Sequence, residues 1–148
     1  MIQYIDVHAV LRQSSAGEYG DLVTRSTGRR VRERIEQAMN AGAPPVIARM
    51  DFSGVGCVDY SCADEIVAKL SRAWGPPTVL VLRGLTESHR EAIEPVLASH
   101  RLAVVLETSE GALHALGEPS VGTALLEQLV ALRFATRQPG GTLALNAT

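Results

Sequence analysis

Ser61 and Cys62 put a hydroxyl and a thiol side by side in the run Asp59-Tyr60-Ser61-Cys62-Ala63-Asp64-Glu65. Three chemistries use such residues. A Ser or Cys nucleophile needs a base beside it. A phospho-acceptor Ser needs an exposed hydroxyl and a partner kinase. A helix start needs a capping oxygen and acids in its first turn. As general acid or base, Asp59, Asp64 and Glu65 lack an accompanying His in sequence. An N-cap at Ser61 or Asp59 is the simplest reading, and it is compatible with a modifiable hydroxyl.

The remaining reactive residues point to packing. Cys57 and Cys62 lie five apart without a second Cys pair or a nearby His, which argues against zinc. They read as small buried residues of a reducing cytosol rather than a redox pair. His8, His89, His100 and His114 are scattered without ligand spacing and are expected at the surface or at edges. Gly54 and Gly56 do not make a phosphate loop, because the Lys and spacing are missing. No metal or cofactor is expected.

The stretch 46–70 must position the Ser61 region, as strand, tight turn and helix. Residues 46–52 are mostly apolar and end at Ser53-Gly54. Ile66, Val67 and Leu70 mark the buried stripe of a helix from Ser61 to Trp74, with Ala63 and Ala73 as further members, and Gly75 stops it. Upstream, 2–11 alternates like a first strand and 13–20 reads as a loop. Ser26 or Thr27 is predicted to cap a helix running to about Asn40. Its Arg25, Arg29, Arg30, Arg32 and Arg34 interleave with Glu33 and Glu36 as a solvated face. Downstream, 78–82 is a strand and Thr86 caps a helix to Ser99 that Pro95 is expected to kink or split. A strand over 102–106 and a short helix over 110–116, capped by Ser109, follow.

Strands alternating with helices predict an α/β fold with parallel pairings and right-handed crossovers. The expected sheet is mixed, mostly parallel and four- to five-stranded, packed by α-helices. Residues 1–117 form the domain, and 118–148 form a C-terminal helix plus β-hairpin extension. That apolar helix, 121–132, is expected to pack on the domain, with dimerisation as the second option. The hairpin flanks Pro139-Gly140-Gly141.

A chain of 148 residues with 46% hydrophobic and 20% charged side chains affords one real core. The net charge of −2 argues against a strongly cationic nucleic-acid binder. No apolar run approaches a membrane span, and the N-terminus reads as lacking a signal peptide, so a cytoplasmic protein is expected.

Asp51-Phe52-Ser53-Gly54-Val55, followed by Val58-Asp59-Tyr60-Ser61, resembles the STAS domain family of bacterial anti-sigma-factor antagonists and sulfate-transporter tails. The family pattern is an apolar strand, Asp-Leu-Ser-Gly-Val, then Asp-Ser-Ser-Gly opening a helix. The likeness extends over 1–116. Here Tyr60 stands for the motif's first Ser and Cys62 for its Gly. The segment 61–70 is similar to a STAS-like variant whose helix starts Ser-Phe-Ala-Asp-Glu. The resemblance implies a non-enzymatic regulatory module. It also implies that Ser61 is phosphorylated by a partner that is both kinase and anti-sigma factor, or a related sensory ATPase, and that Asp59 positions that Ser. The expected partner surface comprises Asp59, Tyr60, Ser61, Cys62, Asp64 and Glu65. Two other readings compete: a nucleic-acid-associated regulator using the Arg-rich helix and the extension, and an enzyme with Ser61 or Cys62 as nucleophile.

Overall fold

The computed structural model describes residues 2–14, 21–39, 45–75 and 78–146. The loop expected over 13–20 lies mostly outside the described residues. Strand β1, Ile2–Asp6, runs directly into helix α1, Val7–Gln13. The strand expected over 2–11 is therefore corrected to a strand and a helix. Asp6 makes the break, because its carboxylate accepts from Ala9 N at 3.1 Å and caps α1. Val7 and Leu11, four apart, then point inward together.

Helix α2 is Arg25–Met39, strand β2 is Ile47–Asp51, and helix α3 spans 60–74. Strand β3 is Val79–Arg83, and helix α4, Glu87–Ser99, is one uninterrupted helix despite Pro95. Pro95 is exposed, so water can reach the carbonyl that its missing N–H would have bonded. Strand β4 is Ala103–Glu107 and strand β5 is Ala112–Gly117. Helix α5, Pro119–Ala131, leads to β6, Ala135–Arg137, and β7, Leu143–Leu145.

The seven strands form one sheet in the order β1-β2-β3-β4-β5-β7-β6. Strands β1 to β4 pair in parallel, and β4-β5, β5-β7 and β7-β6 are antiparallel. The expected mixed sheet packed by helices is present, but with seven strands and with its parallel pairings confined to one half. The short helix expected over 110–116 is strand β5 instead. Thr108, whose Oγ1 accepts from Ala112 N, and Gly111 at φ +86° turn the chain back on β4.

Sequential parallel strands with right-handed crossovers place their helices on one face. A single apolar cluster accordingly joins Leu11, Ile35, Ile66 and Leu97 to Met50, Leu82 and Leu106 of the sheet. A second cluster on the other face joins Val79, Val81, Val105, Leu113 and Leu143 to Leu129 of α5. Helix α5 thus packs within the chain, as expected, and the hairpin continues the same sheet through β5 and β7. Ser61 lies on the segment that follows β2, at the carboxyl edge of the parallel strands, where open α/β sheets present their sites.

Candidate functional site

Helix α3 has three parts: an α-helical turn at Tyr60–Cys62, a π-helical stretch at Ala63–Ala68 and an α-helical end at Lys69–Trp74. Such wide turns recur at functional sites. Its cap is Asp59, in extended conformation. Asp59 Oδ1 accepts from Cys62 N at 2.8 Å and from Ser61 Oγ at 2.7 Å. Asp59 Oδ2 accepts from Thr24 N at 3.0 Å. Burial alone pushes the Asp59 carboxyl up, but the bonds from Cys62, Ser61 and Thr24 outweigh it and hold it below the usual carboxylate range. Ser61 is half-buried, and Tyr60 beside it is 63% exposed.

The turn before this cap is tied from three sides. Leu22 N donates to Cys57 O and Asp59 N donates to Leu22 O, at 2.7 and 2.9 Å, so 22 and 58 form a one-residue parallel bridge. Cys57 N donates to Asp21 Oδ1 at 2.8 Å. His89 is the third tie, buried rather than at the surface where the sequence placed it. Its Nδ1 accepts from Thr86 N, which leaves the ring proton on Nε2 to donate to Gly56 O at 2.6 Å. Thr86 caps α4 as predicted, and His89 completes a capping box there.

Helix α2 starts at Arg25, one to two residues before the predicted caps, and Thr24 Oγ1 accepts from Thr27 N. Thr24 sits at φ +70°, a conformation that β-branched residues rarely adopt. Asp59 and Cys62 hold it there, since Cys62 Sγ donates to Thr24 O at 3.1 Å. Gly28 allows α2 to approach this closely: a Cβ there would lie 3.0 Å from Cys62 Cα.

The acids after Ser61 are tied into ion pairs rather than left free. Glu65 is fully buried and accepts from Arg25 at 2.7 Å, Lys69 at 2.7 Å and Arg32 at 3.2 Å. Burial pushes its carboxyl up, but Lys69, Arg25 and Arg32 together hold it down at about 2. Asp64 pairs with Arg25 at 2.8 Å and with His100 at 3.1 Å, and it is likewise held low against its burial. Cys62 is fully buried. Its burial, with Asp59 close by, pushes the thiol up to about 12, which leaves it protonated and a poor nucleophile. The contact surface expected over Asp59, Tyr60, Ser61, Cys62, Asp64 and Glu65 is therefore corrected: Cys62 and Glu65 face inward, and Tyr60, Ser61 and the rims of Asp59 and Asp64 face out.

Arg25 and Arg32 are committed to these acids, and Arg32 also pairs with Glu36 at 2.6 Å. The solvated face expected for α2 keeps Arg29, Arg30 and Arg34 exposed. Arg25 is the site residue that sequence reasoning missed, because its partners lie 39 and 40 positions away. Among the described residues, no group of three or more His, Cys, Asp or Glu is placed to hold a metal ion. No helix among them is long and apolar enough to cross a membrane.

Searches with protein-family models, among curated proteins and among solved structures find no match to this chain.

Proposed function

We propose that this chain is a regulatory protein-binding module of STAS type. It docks a partner through the exposed start of α3 and is switched by phosphorylation of Ser61. The observation that carries the reading is the 2.7 Å bond from Ser61 Oγ to Asp59 Oδ1. It commits the hydroxyl proton to Asp59 and leaves the oxygen's lone pairs for an incoming phosphoryl group. The partner is a serine kinase that also acts as an anti-sigma factor, or a sensory ATPase of that class, and it supplies a nucleoside triphosphate. In the transfer the Oγ–P bond forms and the bond to the leaving diphosphate breaks. The hydroxyl proton passes by way of Asp59 to water.

Charge supports the same reading. A phosphate adds about −1.5 to −2 charges at pH 7. Beyond Ser61, Asp64 and Glu65 are already paired with Arg25, Arg32 and Lys69, so they oppose the added charge less than free acids would. Tyr60 supplies the kind of exposed aromatic anchor on which interfaces depend. The chain is non-enzymatic in this account, because the buried, protonated Cys62 offers no nucleophile and Ser61 serves as acceptor. The test is purification of tagged wild-type, Ser61→Ala and Ser61→Asp chains from the source cell. Wild type and Ser61→Ala are expected to retain a kinase-type partner that Ser61→Asp loses. Identical behaviour of all three, with no such partner, overturns the proposal.

A further inference from the structure

Arg25 has an unusual position in the ion-pair network. Its guanidinium bonds both Asp64 and Glu65, yet its side chain is 46% exposed. Without it Glu65 keeps two cations, Arg32 and Lys69, and Asp64 keeps its 3.1 Å contact with His100 Nε2. Ser61 Oγ and Thr24 N bond the two oxygens of one carboxylate, Asp59, and Arg25 follows Thr24 directly in the chain. Arg25 is thus a partly exposed cation that Glu65 can spare, one residue from the Thr24 backbone that shares the Asp59 carboxylate with Ser61.

Asp59 faces the opposite demand. Ser61 Oγ is a donor to it only while it carries a proton. A phosphoester oxygen has none, so an esterified Ser61 sets a dianion against a carboxylate that now receives nothing from it. Asp59 Oδ2 is also the acceptor that holds Thr24 N, and Thr24 is kept at φ +70° next to Arg25. Such a conformation persists only while its surroundings over-determine it.

We propose that phosphoserine at position 61 draws Arg25 off Asp64 and Glu65 as its counter-ion and breaks the Asp59–Thr24 hydrogen bond. The message then passes from the start of α3 to the start of α2, so the partner reads a rearranged 22–25 segment as well as an added charge. This rests on the Ser61 reading above. The charged and titratable groups around this position are Asp59, bonded to Ser61 itself, and Asp64 on the same helix, which contacts Arg25 from α2 and His100 at the end of α4.

The experiment uses the full chain with phosphoserine inserted at position 61 during translation, so it needs no kinase. Phosphorus NMR follows the second ionisation of the phosphate, and hydrogen exchange follows the Thr24 amide. Arg25→Gln is expected to raise the phosphate midpoint by about 1 pH unit, because the nearby cation is lost. Arg30→Gln, at an exposed arginine of the same helix, is expected to leave it unmoved. The Thr24 amide is expected to exchange about tenfold faster in the phosphorylated chain than in the unmodified one. A midpoint insensitive to Arg25→Gln, or a Thr24 amide whose protection is unchanged, overturns the proposal. Absence of Ser61 phosphate in cells would instead count against the function proposed above and leave this outcome readable.

Discussion

Ser61 Oγ and Cys62 N donate to the same oxygen of Asp59, at 2.7 and 2.8 Å, so the modifiable hydroxyl and the helix cap share one acceptor. Asp59→Ala removes the cap, the Ser61 bond and the Thr24 bond together. It should cost about 1–2 kcal/mol of stability, whereas Ser61→Ala should cost less than about 1 kcal/mol because Asp59 keeps its two backbone donors. Urea unfolding of the two variants measures this. Equal costs would show that the cap does not depend on Asp59.

Glu65 gives a pH dependence of definite sign. Its carboxyl is lowered from 4.5 to about 2 in the fold, so it stays charged in the native chain where the unfolded chain takes up a proton. The stabilisation, about 3 kcal/mol at most, is fully present above pH 4.5 and is lost as the pH falls towards 2. Asp59 and Asp64, also held low, add in the same direction. Melting temperature against pH should therefore fall steeply below pH 4.5 in wild type and less steeply in Glu65→Gln. Parallel curves would remove Glu65 as the cause.

The thiols should separate cleanly. Cys57 is exposed, while Cys62 is fully buried and held as a thiol. Iodoacetamide at pH 8 should add one group to the native chain, at Cys57, and a second only in denaturant. Native labelling of Cys62 would mean that α2 and α3 open readily around Gly28.

Helix α5 closes on the sheet through Gly122, where an added Cβ would fall inside contact distance of Ala115 Cβ. Gly122→Ala should destabilise the whole chain by about 1–3 kcal/mol through overpacking. Removing 118–148 should uncover Val79, Val81, Val105 and Leu113 and leave 1–117 prone to aggregate. A fully stable, monomeric 1–117 fragment would show that the extension is an appendage.

These sites also show what the sequence could carry. The strand–turn–helix at 46–74 was legible because an apolar run, a glycine turn and a helical stripe are local signals. Strand β5 was not. Ser109 reads as the cap of a short helix over 110–116, yet Leu113 and Leu116 enter opposite faces of a sheet buried on both sides. In the same way Ile5, Val7, Ala9 and Leu11 alternate like a strand, and only the Asp6 cap converts the later ones to a helix. At the site, Asp59 and Ser61 were readable from their types and spacing. The burial of Glu65 and Cys62 was not, because it depends on α2 packing across α3 and bringing Arg25 and Arg32 with it.

The most direct measurement of the central claim is phosphosite and partner mapping of the chain isolated from its own cell, alongside Tyr60→Ala. That variant should change stability by less than about 0.5 kcal/mol, since Tyr60 is exposed. The account predicts phosphate on Ser61 in part of the population. It also predicts a kinase-type partner bound to the unphosphorylated fraction of wild type and lost from Tyr60→Ala. An unmodified Ser61 under all conditions, together with the same partners on wild type and Tyr60→Ala, would contradict it.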